Sequence, residues 1–237
     1  MYDHVLDPLG DVVLKLEKPN APFAVWQRST PPPGPPLTAE PAATAATGAA
    51  PATAEPPVAT GEGPAVAHKP VTFLVSSRHL ILASPVLKAA LTGGWSESTA
   101  PETDGPREIR TEGWDVEAMV VVMSIIHHKW PDVPLEVDLE QLAKIAVVVD
   151  YYRTHEIGHF MGALWIKRLR KTFSFSYGRN IALCLCISSV FRDAEIFRHA
   201  TKVAIKQCPS LRDLETLELP IPPPVIGKFP VASGESA

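Results

Sequence analysis

The sequence predicts an α+β fold: a small, mostly antiparallel sheet covered by a cluster of α-helices, with a helical extension toward the C-terminus. Three observations predict it. Short runs of β-branched residues and leucine lie near the N-terminus, helical apolar spacing takes over after Ser77, and strands and helices do not alternate as a parallel α/β sheet requires. With 46% apolar residues in 237 positions, the chain can bury one core and carry a helical annex.

The first strand is GDVVLKLEKP, Gly10 to Pro19, where apolar residues alternate and proline closes the run. The second is VTFLVSS, Val71 to Ser77. Between them lies a segment from about 30 to 69, rich in proline, alanine and threonine and nearly free of bulky side chains, which cannot offset its ordering entropy and is expected to be disordered. If the two strands pair, this insert is a hairpin loop of unusual length, tolerated because closure entropy grows only logarithmically.

In SRHLILASPVLKAALTGGW, Leu80, Ala83, Leu87 and Leu91 are helically spaced. Pro85 breaks the run, Gly93 and Gly94 stop it, and two short helices therefore meet at Ser84–Pro85. REIRT (107–111) reads as a short strand, and WDVEAMVVVMSIIHH as a helix ending on cations at His127–His128–Lys129. After the connector PDVPLEV, Asp138 caps the helix DLEQLAKIAVVVDYYR. Thr154 is expected to cap the helix of THEIGHFMGALWIKRLRK, with Ile157, Phe160, Met161 and Leu164 facing the core and KRLRK closing it with positive charge. RNIALCLCISSVF and DAEIFRHATKVAIKQC are two further helices. The expected organisation is thus one domain made of 1–29 and 70–170, a helical extension over 171–210, and a proline-broken flexible tail over 211–237.

A net charge of −4 offers no general attraction for nucleic acid or an anionic membrane. The longest apolar stretch, Ile181 to Phe191, is too short to span a bilayer, and early aspartates interrupt any signal-peptide pattern. Cys184, Cys186 and Cys208 form no C-x-x-C pair and read as thiols of an intracellular, cytoplasmic or nuclear protein.

The motif that most suggests chemistry is HEIGHFMGALW, residues 155–165. H-E-x-x-H on a helix places two imidazoles on one face, with glutamate beside them to deprotonate a metal-bound water. The match to H-E-x-x-H-x-x-G-x-x-H continues through Gly162 and fails at Trp165, leaving His155 and His159 short of a third ligand. Asp193 and Glu195 read as the solvated start of a helix, so a zinc hydrolase using His155, Glu156 and His159 is only the alternative reading. Ser76, Ser77 and His79 invite a nucleophile reading but lack the elbow and a third member. No catalytic residue, metal or cofactor is therefore assigned.

GDVVLKL, VTFLVSSRHLILASPVLKAALTGGW, EIRTEGWDVEAMVVVMSIIHH and LEQLAKIAVVVDYYRTHE together resemble the BTB/POZ domain, in the form common in filamentous fungi. The resemblance covers about residues 9–170 without the insert. It extends into CISSVFRDAEIFRHATKVAI and LPIP, which resemble the helical stretch that follows the domain in those proteins. Asp11, His79, Ser84 and Pro85 fall on the family's acidic strand residue, junction histidine and helix break. The resemblance implies a BTB/POZ-like fold and a protein-interaction module, often a homodimer, with protein partners and no enzymatic activity. An adaptor for a cullin-type ubiquitin ligase is its alternative role, although the proline-interrupted HHKWPDVPLEV carries no cullin-contact motif, and Leu80 replaces the basic residue of the family's charged groove. The resemblance and the apolar content of the segments place a self-association interface on Gly10–Leu16 and the Leu80–Leu91 helix surface, with Val12, Leu14, Leu80, Leu87 and Leu91 as its candidate residues.

Overall fold

A computed structural model of the protein describes residues 1–26, 69–93, 105–170, 173, 175, 178–207 and 217–222. Apart from Lys69, the expected insert at 30–69 lies outside the described residues, as does Cys208. The strands are β1 (His4–Val5), β2 (Val12–Glu17), β3 (Val71–Val75) and β4 (Arg107–Glu112). The helices are α1 (Ser77–Ala83), α2 (Pro85–Thr92), α3 (Val116–Ile126), α4 (Leu139–Tyr151), α5 (His155–Leu169), α6 (Arg179–Val190) and α7 (Ala194–Gln207). No helix among the described residues is long and apolar enough to cross a membrane.

The four strands form one sheet in the order β1-β3-β2-β4. β2 and β3 pair antiparallel, with Val12 opposite Val75 and Leu16 opposite Val71, as the hairpin expectation requires. The expectation of a mostly antiparallel sheet is corrected, because β1 pairs parallel with β3 and β2 parallel with β4. Each strand does reverse the direction of the one before it in sequence. In space, however, β3 sits between β1 and β2, so both edge pairs join strands two steps apart in sequence, which run the same way.

One face of the sheet carries Val12, Leu14, Leu16, Phe73, Val75 and Ile109 into a core shared with Met119 and Met123 of α3 and with Leu142, Ile145 and Val149 of α4. α6 belongs to that core as well: Ile181 to Ile187 are all buried. Arg179 at its start donates to the carbonyls of Phe23 and Ala24 and pairs with Glu140 at 2.7 Å. Lys144 bridges Glu140 (3.2 Å) and Asp115 (2.9 Å), so α3, α4 and α6 are joined by one run of alternating charges. Within the expected flexible tail, Leu217 and Ile221 are buried and Ser189 Oγ donates to Pro220 O, so that part is anchored against α6.

Candidate functional site

The β3–α1 junction holds two of the four residues singled out by the sequence resemblance, Asp11 and His79. Asp11, just before β2, accepts the Ser77 N–H at 2.7 Å and the Ser77 hydroxyl at 2.6 Å, tying the first turn of α1 to the sheet. Burial opposes ionisation there, but these hydrogen bonds outweigh it and hold the Asp11 carboxyl below its ordinary value. The Ser–His–acid reading fails on this geometry, because the acid is bonded to the serine and not to a histidine. His79 instead lies with its ring 5.1 Å from that of His127 and 6.1 Å from that of His128, and its Nδ1 is buried without a partner.

His127 ends α3 as expected, but not as a solvated cation. It is buried. Its Nε2 accepts the Ser76 N–H at 3.0 Å, which forces the proton onto Nδ1, and Nδ1 donates to Met123 O at 2.9 Å. Both nitrogens of a neutral imidazole are thus used, and burial holds its basicity below the ordinary histidine value.

Ser84 and Pro85 form the helix break as expected. Ser84 Oγ accepts the Leu87 N–H at 3.0 Å as the cap of α2, with Pro85 in the first turn, and donates to Tyr152 O at 2.6 Å. The Tyr152 hydroxyl donates to Thr111 Oγ1, and burial pushes its pKa up to about 12.

On α5 the H-E-x-x-H pair keeps helical spacing, but the surroundings differ from a zinc protease. His155 Nε2 lies 3.3 Å from Asp150 Oδ1, His159 is exposed, and the hollow they line holds Glu156 and also Arg192, whose charge would oppose a bound cation. The helix does not turn at Gly162 but runs on to Leu169. Trp165, where the third ligand would stand, is buried and its indole N–H donates to Pro134 O at 2.8 Å. Among the described residues no three His, Cys, Asp or Glu side chains converge as a metal site. Two expectations for this helix are corrected. Thr154 does not cap it through its side chain, its hydroxyl turning back to Val149 O, and Phe160 is 73% exposed. Met161 is buried and Ile157 and Leu164 pack against the core as expected, and Gly158 and Gly162 lie on the same side: a Cβ on Gly162 would run into the Phe191 ring. Of the two, only Gly162 matches the motif; Gly158 lets α5 lie close against Val149 of α4, and Gly162 lets it lie against Phe191 at the end of α6.

Neither described cysteine suits nucleophilic chemistry. Cys184 and Cys186 are buried free thiols; burial pushes Cys184 up to about 12, and burial together with the Asp150 charge raises Cys186.

The five candidate interface residues require a correction. Val12, Leu14, Leu80, Leu87 and Leu91 are at most 2% exposed, because they face the chain's own core. Their apolar character serves folding, so a contact surface has to be built from neighbours that point outward. Those neighbours are present: Leu82 on α1 is 87% exposed, Leu9 between β1 and β2 is 91% exposed, and Val5 on β1 is also open. No protein-family model matches the chain, and no curated protein matches it.

Proposed function

We propose that this protein is a protein–protein interaction module that acts by associating with a second copy of itself, through the apolar side chains at the β1 edge and on α1, without a catalytic step. The observation that carries the proposal is the exposure of Leu9 and Leu82. Large apolar side chains that a folded chain leaves almost wholly in water are used economically when a partner covers them. The likeness of the sequence to the BTB/POZ domain supports the same reading. In sedimentation velocity, the full chain is expected to associate as its concentration rises into the high micromolar range, and Leu82→Asp to associate more weakly than wild type at every concentration. A wild-type chain that stays monomeric throughout overturns the proposal.

A further inference from the structure

β4 is an edge strand: among the described residues it has β2 on one side and no strand on the other. The Arg107 N–H donates to Asp11 O and the Gly113 N–H to Glu17 O, so the peptide groups at 107, 109, 111 and 113 turn toward β2. Alternation along the strand turns the N–H and C=O groups of Glu108, Arg110 and Glu112 toward the open edge. The side chains of the same three residues are exposed, on the face opposite buried Ile109.

Charge is the usual means of keeping such an edge from pairing. Here, however, its signs alternate negative, positive, negative at every second residue, a palindrome that becomes complementary to a second antiparallel copy when the two are offset by one charged position. Two copies related by a two-fold axis pair antiparallel, and residues of the same face stand opposite one another. An axis through Arg110 sets Arg110 against itself and Glu108 against Glu112, which repels. An axis through Ile109 sets Glu108 of each copy opposite Arg110 of the other, and pairs their outward peptide groups. An axis through Thr111 is also complementary in charge but runs off the strand at Gly113, where φ is +82° and the chain turns away. Pro106, which lacks an N–H, bounds the ladder at the other end.

We infer that the open edge of β4 pairs antiparallel with the β4 edge of a second copy about an axis through Ile109, joining two four-stranded sheets into one. Within one chain Arg110 Nε already holds Glu108 Oε1 at 2.8 Å; across the axis the same groups exchange partners and no charge is left over. Lys15, 4.0 Å from Glu108, supports the acid from the β2 side. This contact lies on the opposite edge of the sheet from β1, so it adds a second, polar surface to the self-association proposed above and is tested separately from it.

The test uses the full chain with Glu108→Arg and Arg110→Glu, each of which gives the paired positions one sign. Each variant, labelled with a donor or an acceptor dye, is titrated against itself and against the other, with circular dichroism confirming the fold. Each variant alone is expected to associate at least about tenfold more weakly than wild type. The mixture of the two, which restores Glu opposite Glu's complement at both sites, and the double exchange Glu108→Arg with Arg110→Glu are expected to recover wild-type affinity. A mixture no tighter than either variant alone overturns the inference. If wild type still dimerises in that case and Leu82→Asp abolishes it, the apolar surface stands and only the β4 pairing falls. A wild-type chain that never associates removes both.

Discussion

The Ser84–Pro85 corner and the His155–His159 turn of α5 are both short sequence motifs at the start of a helix, and the fold treats them in opposite ways. At the corner the serine hydroxyl is buried with a donor and an acceptor, and its proline occupies a position where a missing N–H costs nothing. On α5 the motif's polar members lie toward the surface, and the residues the fold needs are the non-polar ones of the same stretch, Gly158, Met161, Gly162 and Trp165. A motif is therefore informative about the fold to the extent that the chain buries its polar atoms and gives them partners. In H-E-x-x-H the imidazoles face water, Asp150 and Arg192, and the spacing follows from the helix alone.

The sharpest way to break this contrast is at the two glycines. Gly162→Val drives side-chain atoms into the Phe191 ring and is expected to cost about 3 kcal/mol in urea unfolding. Gly158→Ala meets only the Val149 methyls, at 3.3 to 3.4 Å, and gains helix propensity, so its change should stay within about 1 kcal/mol. Equal effects at the two glycines would mean that the Phe191 contact is not what selects glycine there. At the corner, Ser84→Ala loses the cap and leaves the Tyr152 carbonyl without its donor, for an expected loss of about 2 kcal/mol. Ser84→Thr, which keeps the hydroxyl, should recover part of that loss.

What could be read from the sequence divides along the same line. Features set by local chemistry were legible: the Ser84–Pro85 break, the Asp138 cap, whose carboxylate accepts the Gln141 N–H at 2.7 Å, and the β2–β3 pairing. The order of the sheet was not, since alternating strand directions are equally consistent with any spatial order, and β1 is two residues long and has no periodicity to show. Helix ends were also hidden, because α3, α4 and α6 stop at His128, Arg153 and Arg192 in the left-handed conformation, where glycine is the usual signal. The candidate interface residues were correctly seen as too apolar for water, but the pattern alone does not say whether a strand's apolar face meets its own helices or a partner. His127 was misjudged for a related reason: with His128 and Lys129 beside it, it reads as part of a cationic end, and only Ser76, 51 residues away, reveals its role.

That buried histidine makes the β3–α1 junction sensitive to acid. In the folded chain burial holds His127 below its ordinary value of about 6.5, and with its Nε2 accepting from Ser76 it cannot take a proton without breaking that bond. Between the depressed folded value and about 6.5 the unfolded chain binds a proton that the folded chain does not, so stability rises with pH through this window and is lost as pH falls below it. Asp11, depressed in the folded state, adds a second loss as pH falls below its ordinary value of 3.8. Unfolding midpoints measured from pH 7.5 to 5 should decline for wild type, and the decline should flatten in His127→Gln, whose amide oxygen can accept from Ser76 without titrating. An unchanged slope in that variant would place the acid sensitivity elsewhere.

The smallest expected effect is at His159. Its side chain is exposed and packs on nothing the core requires, so His159→Ala should move the unfolding free energy by no more than about 0.5 kcal/mol, as a surface substitution does. If the pair with His155 instead held a zinc ion in the folded chain alone, added zinc would raise the melting temperature of wild type, since a ligand that binds only the native state stabilises it by mass action, and His159→Ala would abolish the rise. With Arg192 lining the same hollow and Trp165 bonded to Pro134 O, the expected result is the same melting temperature with and without zinc in both proteins. A zinc-dependent rise confined to wild type would reverse the comparison of the two motifs.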